Sequence, residues 1–107
     1  MDNKIKEANF VSAVIYIHNN EREITPFLEW LDTQLDLNFK KYEIICVDDG
    51  SMDASEEAVR AYGKNRAKEA VSLLHMSYFQ GLEVAMNAGV DLAIGDFVFE
   101  FDTVCMD

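Results

Sequence analysis

Short apolar runs rich in β-branched residues alternate with stretches whose apolar residues recur at helical spacing. This alternation constrains the chain more than any other feature. Phe10 to Ile17 is a nearly continuous apolar run and predicts a buried strand. Arg22 to Asp36 follows with Ile24, Phe27, Leu28, Leu31 and Leu35 at helical spacing, and Pro26 sits where a first turn tolerates it. Tyr42 to Val47 is a second buried strand, ended by the turn residues Asp48-Asp49-Gly50-Ser51. A helix follows, capped by Asp53 or Ser55, with Ala54, Ala58, Val59 and Tyr62 as its apolar face and Gly63-Lys64-Asn65 as its stop. Val71 to Leu74 is a third strand. Gln80 to Leu92 is a helix with Val84, Ala85, Ala88 and Leu92 inward, and Phe97 to Phe101 is a fourth strand after Gly95.

Strands alternating with helices and lacking hairpin signals imply βαβ units and a parallel sheet. The fold class is therefore α/β, a Rossmann-like doubly wound parallel sheet. Two crossovers run one way from the first strand and the last returns to its other side, so the expected strand order is 3-2-1-4. One domain over residues 1–107 fits the length. In such sheets ligands collect beyond the carboxyl ends of the strands. The polar residues lie there: His18-Asn19-Asn20-Glu21 after the first strand, Asp48-Asp49-Gly50-Ser51 after the second and Asp102-Thr103 after the fourth. If the second strand continues through Asp48 and Asp49, the two point to opposite sides, one toward a ligand and one into the turn.

Charge narrows the classes of partner. Nine basic against 20 acidic side chains give a net charge of −11, which argues against binding nucleic acid or an anionic membrane surface. No apolar run approaches the ~18 residues of a membrane helix, and Met1-Asp2-Asn3-Lys4 lacks a signal-peptide pattern. With Cys46 and Cys105 read as reduced thiols, the expected location is cytoplasmic. No GxGxxG follows the first strand and no GxxxxGK[ST] occurs anywhere, which disfavours dinucleotide oxidoreductases and P-loop NTPases.

Val14-Ile15-Tyr16-Ile17-His18-Asn19-Asn20-Glu21 and then Tyr42-Glu43-Ile44-Ile45-Cys46-Val47-Asp48-Asp49-Gly50-Ser51-Met52-Asp53 resemble the opening of family 2 glycosyltransferases, which have the GT-A fold. Gln80-Gly81-Leu82-Glu83-Val84-Ala85-Met86-Asn87-Ala88-Gly89 is similar to that family's G-x-x-x-A-x-N-x-G helix, and Ala93-Ile94-Gly95-Asp96 to its lead into the fourth strand. The resemblance implies transfer of a sugar from a nucleotide-diphosphosugar to an acceptor hydroxyl, with inversion. It implies nucleotide contacts at Ile17, His18, Asn19 and Glu21, and base recognition by Asp48 and Asp49 with Gly50 and Ser51. It extends the site to Gly81, Asn87 and Asp102, with Mg2+ or Mn2+ on the diphosphate at Asp102. The sequence departs from the pattern at Tyr16, where the family has Pro, and at Val104, where the second acid of a DxD motif would stand. A metal held by Asp102 alone is expected to bind weakly.

Complete enzymes of this family run on the order of 250 residues or more, the length of a large single α/β domain. The chain is thus expected to hold only the donor-binding half, with the catalytic base beyond residue 107 and self-association through the truncated edge. Two other readings stand beside this one. A non-catalytic domain would bind a sugar nucleotide or a partner without transfer, consistent with the incomplete DxD. A signalling receiver domain has a similar length and an acidic pair. It should carry that pair after its first strand and a phosphoacceptor Asp after its third, where Leu74-His75-Met76-Ser77 stands here.

Overall fold

A computed structural model describes residues 6–104. The elements run β1 (Glu7–Ile17), α1 (Ile24–Asn38), β2 (Phe39–Asp49), α2 (Ser55–Asn65), β3 (Ala70–Met76), α3 (Leu82–Leu92) and β4 (Phe97–Phe101). The four strands form one sheet in the order β3-β2-β1-β4. Every neighbouring pair is parallel, with Val14 beside Ile45 and Glu100, and Asp48 beside His75. The alternation in the sequence and the expected strand order are both realised. Cys105, Met106 and Asp107 lie outside the described residues.

Period-2 alternation divides the central strands between two cores. Val11, Ala13, Ile15 and Ile17 of β1 and Tyr42, Ile44 and Cys46 of β2 face α1 and α2, joined by Phe27, Leu28, Leu31, Val59 and Tyr62. Val14, Ile45 and Val47 face the other way, onto Ala85 and Met86 of α3. Burial pushes the Cys46 thiol up to about 12, which keeps it protonated and inert. The buried Asp32 carboxylate ties α1 to its surroundings by accepting from the Tyr42 hydroxyl (2.5 Å), the Tyr62 hydroxyl (2.7 Å) and the Lys68 N–H (3.0 Å).

Several local expectations are corrected. In α3 the inward residues are Ala85, Met86 and Gly89, while Val84 and Leu92 are exposed. The reason is close approach: a Cβ on Gly89 would stand 2.6 Å from side-chain atoms of Val14 and Val47, so the helix seats its smallest residue on the sheet. The helix α2 ends at Asn65, the last residue of the expected Gly63-Lys64-Asn65 stop. Ala54 precedes that helix and is exposed. The second strand starts at Phe39, three residues before Tyr42, because α1 passes into it directly.

Candidate functional site

The carboxyl ends of β1 and β2 are laced together by the residues that follow them. Asn19 adopts φ 56°, in the left-handed region that Asn tolerates better than most residues. Its N–H donates to Ser51 Oγ (2.9 Å), and its side-chain oxygen accepts from the Met52 N–H (2.7 Å). Asn20 N–H donates to Ser55 Oγ (2.7 Å) and Glu21 N–H to Asp53 Oδ2 (3.1 Å). Burial is the largest single influence on Asp53 and pushes its carboxyl up, but the Ser55 hydroxyl and the N–H groups of Ser55 and Glu21 together outweigh it, so the carboxyl lies below its usual value. His18 Nδ1 lies 2.7 Å from the Asp49 carbonyl, an acceptor, which fixes the proton on Nδ1. Its ring packs on Phe79 with centroids 4.9 Å apart.

Asp48 and Asp49 both lie in β2 and point to opposite faces. Asp49 is fully buried on the α3 side. Its Oδ1 accepts from Gln80 N–H (2.7 Å), and its Oδ2 accepts from Gly81 N–H (3.0 Å) and the Tyr16 hydroxyl (2.7 Å). It therefore mounts the start of α3, where Gly81 takes φ 100°. Tyr16, which departs from the family's Pro, is raised above the usual phenol range by burial and then by this carboxylate. Asp48 points to the α2 side and is 1% exposed, and its Oδ1 has no hydrogen-bond partner among the described residues. Burial pushes its carboxyl up; the nearby Ser51 hydroxyl and N–H pull the other way, and the Glu56 carboxylate adds to the rise.

Two clefts open on this rim. One, of about 470 Å³, is lined by His18, Asn19, Gly50, Ser51, Met52, His75, Ser77, Tyr78 and Phe79. Gly50 (φ 67°) is required at its floor, because a Cβ would stand 2.6 Å from the Phe79 nitrogen. The other, of about 320 Å³, lies against α3 and is lined by Leu82, Glu83, Met86, Asn87, Glu100 and Asp102. The expected site residues are thus divided: His18, Asn19, Gly50 and Ser51 line the first, Asn87 and Asp102 the second. Glu21 lines a smaller hollow, of about 280 Å³, with Asn19 and Asp53. The Ile17 side chain is wholly buried in the α1–α2 core, so only its main chain can reach a ligand. Sequence reasoning passed over Ser77, Tyr78 and Phe79. Their signal was an aromatic pair in the loop after a core strand.

Asp102 is exposed at the end of β4, and Val104 is fully buried. The carboxylates of Glu83 and Glu100 and the amide of Asn87 line the Asp102 cleft, together with the apolar Leu82 and Met86. This set suits a hard cation such as Mg2+ or Mn2+, held by one or two carboxylates and completed by phosphate oxygens.

The family model described as Glycosyl transferase family 2 matches residues 12–103. An undecaprenyl-phosphate 4-deoxy-4-formamido-L-arabinose transferase of Edwardsiella ictaluri is 35% identical over 91% of this chain and 30% of its own length. A dodecaprenyl-phosphate galacturonate synthase of Rhizobium johnstonii is 32% identical over 86% of this chain and 27% of its own. The chain therefore spans less than a third of these relatives. Among solved structures, the mannosyltransferase PcManGT of Pyrobaculum calidifontis, in complex with GDP-Man and Mn2+, superposes with a TM-score of 0.75 at 25% identity, over 82% of this chain and 25% of its own. The order of motifs, the parallel 3-2-1-4 sheet and the match across residues 12–103 agree: the chain belongs to glycosyl transferase family 2.

Proposed function

We propose that this chain is the donor half of a glycosyltransferase and binds a nucleotide-diphosphosugar across the two clefts. The observation that carries the reading is the 470 Å³ cleft, where the aromatic rings of His18, Tyr78 and Phe79 meet the polar groups of Asn19 and Ser51, and where His75, the register neighbour of the buried Asp48, forms part of the wall. Aromatic faces stack on a base, and a carboxylate accepts from base or ribose donors. The diphosphate then runs past Gly81 toward the cleft of Asn87 and Asp102. A divalent cation held there by Asp102, with Glu83 or Glu100 beside it, would neutralise the charge on the departing diphosphate.

The chain's own residues bind and orient the donor. Asp49 holds the start of α3 against the sheet, so that Gly81 and Asn87 keep their places along the donor's path. The general base and the acceptor subsite belong, in this reading, to the rest of the whole protein. The names of the two relatives support an acceptor of the polyprenyl-phosphate class. No described helix is long and apolar enough to cross a membrane, and a cytoplasmic site of action is part of the proposal.

Calorimetric titration of the chain with UDP, GDP and their sugar conjugates, with and without Mn2+, tests the reading. Saturable binding of one diphosphate series, strengthened by Mn2+, is expected. Absence of binding in every series would overturn it. A second reading, donor binding without transfer, is favoured by the burial of Val104 at the second DxD position. Transfer by the whole protein from the bound donor would exclude it.

A further inference from the structure

On the α2 face of the sheet, away from Asp49, three candidate ligands converge. Asp48 is the penultimate residue of β2, His75 sits beside it in β3, and Glu56 lies in the first turn of α2. Each offers one ligand atom, and these atoms all lie within 4.8 Å of one another. His75 Nδ1 is 2.5 Å from Glu56 Oε2 and 3.8 Å from Asp48 Oδ2. Arg60 holds the other Glu56 oxygen at 3.0 Å, which orients the carboxylate and leaves Oε2 for the cluster. Donors bound tetrahedrally to one ion at about 2.1 Å stand roughly 3.4 Å apart, so small side-chain shifts suffice.

An independent observation points to a missing ligand. Asp48 is 99% buried, its carboxylate faces this cluster, and its Oδ1 has no partner among the described residues. Buried carboxylates in native proteins are paired, or they coordinate a metal. His75 also lines the open 470 Å³ cleft, which gives an ion a path in and a position for water or a further ligand.

We propose that Asp48, Glu56 and His75 form a divalent-cation site, distinct from Asp102, that takes Zn2+ or Mn2+. One imidazole nitrogen with two carboxylates suits these ions better than Mg2+ or Ca2+, which prefer oxygen alone. The bound ion cross-links the ends of β2 and β3 to the first turn of α2, and so fixes one wall of the cleft. The site needs no nucleotide and stands or falls apart from the donor reading.

The test titrates the 107-residue chain with Zn2+ by calorimetry and with Mn2+ while the ring resonances of its two histidines are followed by NMR. One equivalent of Zn2+ is expected to bind. Its affinity should fall roughly tenfold or more in His75→Gln and in Glu56→Gln, and stay unchanged in Asp102→Asn. Substoichiometric Mn2+ should broaden the His75 ring before that of His18, in the wild type and in Asp102→Asn alike. The His75 side chain is 54% exposed, so its replacement does not threaten the fold. Equal Zn2+ affinity in wild type and His75→Gln, or equal broadening of both histidines, would show that the cluster is only a histidine–carboxylate ion pair.

Discussion

Asp48 and Asp49 are neighbours in sequence with opposite duties. Asp49 satisfies three donors from two elements, so Asp49→Ala removes several charge-assisted hydrogen bonds and strands N–H groups at the start of α3. A stability loss of about 2–4 kcal/mol is expected, read as a lower denaturation midpoint at unchanged slope. Asp48 behaves differently, because burial raises its carboxyl pKa in the folded state. A raised carboxyl binds its proton more tightly when folded, so the wild type loses stability as pH rises from the unfolded value through the folded one. Asp48→Asn lacks this loss. It should melt above the wild type at neutral pH, with the gain shrinking as pH falls toward the unfolded value, in thermal scans across pH 4–8, a range that brackets ordinary carboxylate titration. The same variant should weaken nucleotide binding by about 1.5–3 kcal/mol, the usual range for a hydrogen bond to a charged group. Period-2 alternation made the opposed directions of this pair legible in the sequence. It could not say which residue would support α3, because that depends on which helix covers which face.

The elements themselves were largely legible, since each begins or ends where the apolar period changes. The face of α3 was not. Val84, Ala85, Ala88 and Leu92 and the observed Ala85, Met86 and Gly89 are both helical stripes, and the helix chose the one that lets Gly89 meet Val14 and Val47. Hydropathy does not register that choice, because it rests on the absence of a side chain. Gly89→Ala should therefore cost about 1–3 kcal/mol, the range for overpacking a core. Gly63→Ala, also in a helix, should do the reverse. A Cβ there meets Val71 at an ordinary 3.5 Å, and φ is not in the left-handed region. Removing a helix-interior glycine should then add roughly 0.5–1 kcal/mol. Chemical denaturation of the two variants side by side checks both signs. The aromatic loop Tyr78-Phe79 escaped sequence reading for a related reason: exposed aromatics gain meaning only when folding sets them opposite His18.

At the scale of the molecule, β4 is an edge strand of the sheet formed by the described residues. β4 pairs only with β1 among the described strands, and its residues Phe97 and Phe99 are 52% and 41% exposed, with Ile94 exposed just before them. A strand edge with unpaired backbone groups beside exposed aromatic rings is a template for pairing with another copy. Opposing this is a net charge of −11 on each chain, which makes two copies repel. The two effects respond differently to salt. Screening shortens the reach of the repulsion from about 30 Å at 0.01 M ionic strength to about 8 Å at 0.15 M. It leaves apolar burial nearly intact. The chain should therefore sediment as a monomer in dilute buffer and shift reversibly toward a dimer as salt rises. Phe97→Lys places a charge on that edge without touching either core cluster. It should keep the protein monomeric at every salt concentration, with its thermal stability as a monomer unchanged. Association that weakens with added salt, or that survives Phe97→Lys, would place the contact on another surface, with charge pairing rather than the exposed rings holding it.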